Sequence, residues 1–66
     1  MEIIVNGVAE DGHASGSLAD FVARKGLSPE ALVIELNRQI IRQAQWASVE
    51  LQTGDRLELL SFVGGG

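Results

Sequence analysis

MEIIVNG, residues 1–7, decides how this chain begins to fold. Met1, Ile3 and Val5 alternate with Glu2, Ile4 and Asn6, which is the period of a strand. Asn6-Gly7 follows, a pair that accepts the positive φ angles of a tight hairpin turn. The chain therefore opens as a strand, a turn and a second strand running to about residue 14. Asp11-Gly12 interrupts that second strand and reads as either a bulge or a turn.

Outward from the hairpin the period changes. Leu18, Phe21 and Val22 share one helical face, Ser17 stands at the N-cap position, and Ser17 with Asp20 has the spacing of a capping box. Gly26 supplies a left-handed C-cap, and Ser28-Pro29 cannot continue the helix, so it stops near Lys25 after about two turns. LVIEL, residues 32–36, is a branched apolar strand with Leu32, Ile34 and Leu36 on one face and Val33 and Glu35 on the other. Asn37-Arg38 turns it into a brief partner strand at Ile40 and Ile41. The stretch RQAQWASVEL, residues 42–51, is mixed in pattern, with Trp46 acting as an amphipathic lid on the core. After the Gly54-Asp55 turn, RLELLSFV is the last strand, with Leu57 and Leu59 on one side and Leu60 and Phe62 on the other.

The order β-β-α-β-β-β specifies an α+β domain: a mixed sheet of four to five strands over a single helix, with the first two strands antiparallel and the last parallel to the first. This is the β-grasp, or ubiquitin-like, arrangement. Residues 1–63 form the domain and residues 64–66 a flexible glycine tail. With 66 residues and no cysteine, the fold has neither disulfides nor thiolate metal sites to support it. A domain this size buries only about 60% of its unfolded surface.

Composition excludes several functions. Nine acidic residues stand against five basic ones, and Arg24, Lys25, Arg38, Arg42 and Arg56 are dispersed, so nucleic acid would be repelled. MEIIV lacks the basic start of a signal peptide, and no apolar run approaches a membrane span. The chain reads as soluble and cytoplasmic, with no membrane partner. Its one histidine, His13, has no second imidazole or cysteine with which to form a ligand set. Glu10 and Asp11 are adjacent in a strand and point to opposite faces, which disqualifies them as a catalytic pair. No catalytic, cofactor-binding or metal-binding residue is assigned.

The terminus is what remains. MEIIVNG, SLADFV, IELNRQIIRQAQW and GDRLELLSFVGGG together resemble the ThiS family, the sulfur carriers of thiamine (thiazole) biosynthesis, related to the small subunit of molybdopterin synthase and to ubiquitin. Where family members often carry proline then arginine after the paired apolar residues, this chain has Arg42 then Gln43, and no role is assigned to an arginine there.

The resemblance implies that an ATP-dependent, ubiquitin-activating-like enzyme adenylates Gly66. Sulfur from a persulfide donor, such as a cysteine desulfurase supplies, then converts it to a thiocarboxylate, which passes sulfur to thiazole synthase. ATP is used by the activating partner, and the carrier is a co-substrate instead of an enzyme. Val63, Gly64 and Gly65 would thread the partner's channel; extended, Val63 to Gly66 reaches roughly 10 to 14 Å. If Ile3, Val5, Leu57 and Leu59 face the helix, then Ile4, Leu60 and Phe62 face away on adjacent strands, close together, as a partner-docking patch. Two other readings use the same residues: a molybdopterin-type carrier or protein modifier conjugated through Gly66, and an interaction domain with an inert tail.

Overall fold

The computed structural model describes residues 1–12 and 16–62. His13 and the tail positions Val63, Gly64, Gly65 and Gly66 lie outside them.

Five strands form one mixed sheet: β1 (Glu2–Val5), β2 (Val8–Asp11), β3 (Leu32–Leu36), β4 (Gln39–Ile41) and β5 (Arg56–Ser61), in the spatial order β2-β1-β5-β3-β4. Among the described residues the one α-helix, α1 (Leu18–Arg24), packs on one face of the sheet. β1 and β2 are antiparallel, β1 and β5 are parallel, and β3 is antiparallel to both β4 and β5. This is the β-grasp arrangement that the order of elements predicts.

Each turn follows from its residues. Asn6 and Gly7 have φ values of 50° and 83°, and Asn37 and Arg38 have 50° and 73°, so both two-residue hairpins carry the positive φ pair that matches strand twist. The second turn accomplishes this without glycine, at a cost of roughly 1–2 kcal/mol for a side-chain-bearing residue at Arg38. Positions 13 and 14, to which the sequence extends the second strand, lie outside the described residues, and the strand is described over Val8–Asp11. Gly12 is buried there, where an added Cβ would meet Ile3 and Met1 side chains at 3.2 Å. The Asp11-Gly12 interruption is thus a strand end at a close approach, with the Gly12 N–H donating to the Met1 carbonyl at 2.8 Å.

Helix α1 is capped as its sequence specifies. The Ser17 Oγ accepts from the Asp20 N–H at 3.1 Å, and the Asp20 carboxylate accepts from the Ser17 N–H at 3.2 Å. Leu18, Phe21 and Val22 enter a core with Ile3, Val5, Leu32, Ile34, Trp46, Leu51 and Leu57. Two 3₁₀ turns, Pro29–Ala31 and Gln43–Ser48, complete the chain. Apolar periodicity does not reveal either, because a 3₁₀ turn buries too few side chains to leave a pattern. The second delivers Trp46, only 3% exposed, onto the core, and its Nε1–H donates to the Ile41 carbonyl at 2.9 Å. Among the described residues no helix is long and apolar enough to cross a membrane.

Candidate functional site

β5 lies between β1 and β3, and its two ends are held differently. At its start, Asn37 and Asp55 form a clasp. The Asn37 Nδ2 donates to an Asp55 carboxylate oxygen at 3.0 Å, and the Asn37 Oδ1 accepts from the Arg56 N–H at 3.0 Å. The second Asp55 oxygen accepts from the Gln52 N–H at 2.7 Å. Backbone bonds run to both neighbours, from the Ile4 N–H to the Asp55 carbonyl and from the Asn37 N–H to the Arg56 carbonyl. A strand fixed on both sides by side chains and backbone is a rigid base.

At its far end β5 loses one neighbour. β1 is paired with β5 only at Arg56 and Leu57. Asn6 then turns away, and its side chain stands in for the next residue of β1: Oδ1 accepts from the Leu59 N–H at 2.7 Å and Nδ2 donates to the Leu59 carbonyl at 3.4 Å. On the other edge β3 stays paired as far as Ser61, and the Phe62 N–H donates to the Ala31 carbonyl at 2.9 Å. Phe62 is the last described residue, and Val63–Gly66 follow it in sequence.

Away from the helix, the sheet's outer face carries Ile4, Arg56, Glu58, Leu60 and Phe62, since Ile3, Val5 and Leu57 are buried on the inner face. Leu60 is 62% exposed and Phe62 53%. Val33 lies directly across from Leu60 in the β3–β5 register. Ile4 does not join them. Its register partner is Arg56, four positions before Leu60, so about 13 Å of strand separates them, with Glu58 and its cross-strand neighbour Glu35 between. The expected single patch of Ile4, Leu60 and Phe62 is therefore two places on the face. The two strands are adjacent, as the sequence predicts; the offset between them is set by a parallel pairing with no connecting turn to fix its register.

Other candidates resolve into structural roles. Glu10 pairs with the Lys25 Nζ at 2.6 Å, and Asp11 lies 3.4 Å from the terminal ammonium, so the two carboxylates do diverge. Arg42 stands before the Gln43–Ser48 turn and accepts from the Gln45 N–H through its carbonyl. Among the described residues no cluster of three acidic, histidine or cysteine side chains could hold a metal ion.

The sequence model of the ThiS family matches residues 3–66, nearly the whole chain. The chain belongs to the ThiS family. It is 35% identical over 52 residues to the sulfur carrier protein ThiS of Bacillus subtilis, with 79% of each chain covered. The crystal structure of the thiamine biosynthesis protein (ThiS) from Geobacter metallireducens is 28% identical, with a TM-score of 0.83 and all of both chains covered. Two longer relatives differ in kind. Thiazole synthases of Paramagnetospirillum magneticum and Magnetococcus marinus match all 66 residues at 29% and 30% identity, and the chain spans only 20% of each.

The structure gives the motifs that mark the family a physical reading. Asn37, Trp46 and Asp55, which carry much of the resemblance to ThiS, are scaffold: two form the clasp and one lids the core. Sequence reasoning misses Asn6 as a pin on Leu59, and Val33 as the neighbour of Leu60. Alternation already puts Val33 on the outer face; only register could bring it to Leu60.

Proposed function

We propose that this chain is a sulfur carrier of thiamine biosynthesis and that the carboxylate of Gly66 is its reacting group. A free α-carboxylate is ionised at neutral pH and is a poor electrophile, so it must be activated. One carboxylate oxygen attacks the α-phosphorus of ATP in an adenylating partner, releasing pyrophosphate and leaving an acyl-adenylate. Sulfur from a partner's persulfide then attacks the carbonyl carbon and AMP leaves. A thiol reduces the resulting S–S bond, and the thiocarboxylate remains. Thiazole synthase is the acceptor. The carrier serves as co-substrate throughout.

The observation that supports this reading is the match to the ThiS family over residues 3–66, which includes the terminal glycines. The thiazole synthases that contain a stretch similar to the whole chain support the choice of acceptor, because tethering raises the effective concentration of two modules that meet. Glycine suits such a terminus. Without a Cβ, Gly65 and Gly66 can bring the backbone close to reacting groups inside a narrow channel. Leu60, Val33 and Phe62 form the docking surface beside the tail's root.

Appending one residue after Gly66 tests the assignment, since it moves the carboxylate by about 3.5 Å and puts an amide where the acid must be. Pyrophosphate release with the adenylating enzyme should be abolished, while the thermal melt stays unchanged. Loading of the extended chain at the wild-type rate, without trimming, would refute the role of Gly66.

A further inference from the structure

The hydrogen-bonding direction of β5 alternates, and the alternation can be followed residue by residue. Arg56 and Phe62 bond toward β3 and its approach, whereas Leu57 and Leu59 bond toward β1 and Asn6. Ser61 has the parity of Leu57 and Leu59, so its N–H and carbonyl point away from β3. On that side β1 has already turned, and the Asn6 side chain reaches only Leu59. Among the described residues no strand lies along this edge at Ser61. Among these residues Ser61 offers the first open backbone pair on β5, five positions before Gly66 in sequence.

A second feature adjoins the same edge. A cleft of about 430 Å³ is lined by Val5, Val8, Leu27, Leu32, Leu59 and Ser61, together with the Glu10–Lys25 pair. Val8 sits on the helix-side face opposite Val5 yet is 64% exposed, because α1 is too short to cover this end of the sheet. A strand laid beside Ser61 would continue the line of β1 past the Asn6-Gly7 turn, and its alternate side chains would enter the cleft. Such a site offers main-chain bonds for affinity and an apolar pocket for selection.

We propose that an extended segment of thiazole synthase, carrying an apolar side chain at its inward position, pairs with β5 at Ser61 as an additional strand. The inference rests on the proposed function. Whichever protein takes sulfur from Gly66 meets the chain end, and five residues of chain, spanning at most about 17 Å when extended, separate that end from Ser61. Two thiazole synthases include a stretch similar to this whole chain, which makes that enzyme the occupant. Asn6 acts as the register stop: by filling the edge at Leu59, it leaves pairing to begin at Ser61 and nowhere earlier.

Ser61→Pro isolates the edge. It removes the outward N–H and sets a ring in its place, while the ladder to β3, which uses Leu60 and Phe62, keeps its donors; proline is tolerated where an edge N–H faces solvent. The probe is thiazole synthase from the same organism, titrated against the isotope-labelled full chain. For wild type, amide exchange at Ser61 should be fast in the free protein and slowed at least about tenfold in the complex, as expected for a newly bonded edge amide. Ser61→Pro should weaken binding by about 5- to 10-fold, the scale of one lost hydrogen bond. If the variant fails to fold, the wild-type exchange measurement decides alone. Binding of wild type with no slowing at Ser61, or equal affinity of a folded Ser61→Pro, overturns the added strand and leaves the sulfur-carrier reading standing. No binding of wild type at all overturns the choice of thiazole synthase in both.

Discussion

The two ends of β5 make an instructive pair. At Arg56 the strand has a neighbour on each side, and the Asn37–Asp55 clasp joins a turn to the strand's first residue. At Ser61, among the described residues, it has β3 alone, and the face beside it exposes Leu60 and Phe62. One strand is thus anchored at its start and left accessible at its finish. Under the proposed function both serve: a fixed root for the strand that leads to Gly66, and nearby surface that a partner can take over. Changes at the first end should lower stability, and changes at the second should spare stability and lower transfer.

The largest stability effect belongs to the core beneath the anchored end. Leu57 is fully buried, and Leu57→Ala should cost about 2–5 kcal/mol through lost burial and a residual cavity. For a domain of this size that leaves little folded protein, and urea denaturation would show it. A loss below about 1 kcal/mol would break the comparison at once.

Next comes the clasp. Asn37→Ala removes both side-chain bonds and also the residue type best suited to φ 50°. It should cost about 1–3 kcal/mol. The denaturation midpoint measures this, and sulfur loading of the fraction still folded should match wild type. Loading that falls further than the folded fraction would show that the clasp acts on the tail directly.

A gain of about 1 kcal/mol is expected from Arg38→Gly, which makes the second hairpin turn resemble Asn6-Gly7. Thermal melting is the check, and no gain would mean that Arg38 makes compensating contacts.

At the accessible end, Leu60→Arg should change stability by no more than about 0.5 kcal/mol. Affinity for thiazole synthase should nonetheless fall by about tenfold or more, because an apolar contact is replaced by a charge that must be desolvated. Ile4→Arg makes the matched test. If the outer face has one docking centre around Leu60, Val33 and Phe62, the Ile4 change should weaken binding less, as measured by the same titration.

Much of this division is legible in the sequence. Asn6-Gly7, the Ser17/Asp20 box, Gly26 and the alternation in LVIEL are local signals, and each names its element because the deciding atoms lie within a few residues of each other. The placement of Ile4 against Leu60 is not legible there. It depends on where a parallel strand from the far end of the chain comes to rest. The Asn6 pin is hidden for a related reason: its turn propensity is local, whereas its contact with Leu59 spans 53 residues of sequence. Asn37 and Asp55 stand out as motif residues without a visible purpose, since only the fold brings them together.

Whether Gly66 carries sulfur can be read by intact-mass spectrometry of the protein taken from its own cells while they make thiazole. Deleting thiazole synthase should let the loaded form accumulate. The expected result is a population in which one oxygen of the Gly66 carboxylate has been replaced by sulfur, localised to that residue by fragmentation. An unmodified carboxylate throughout, in cells where the adenylating enzyme is active and its acceptor is absent, would contradict it.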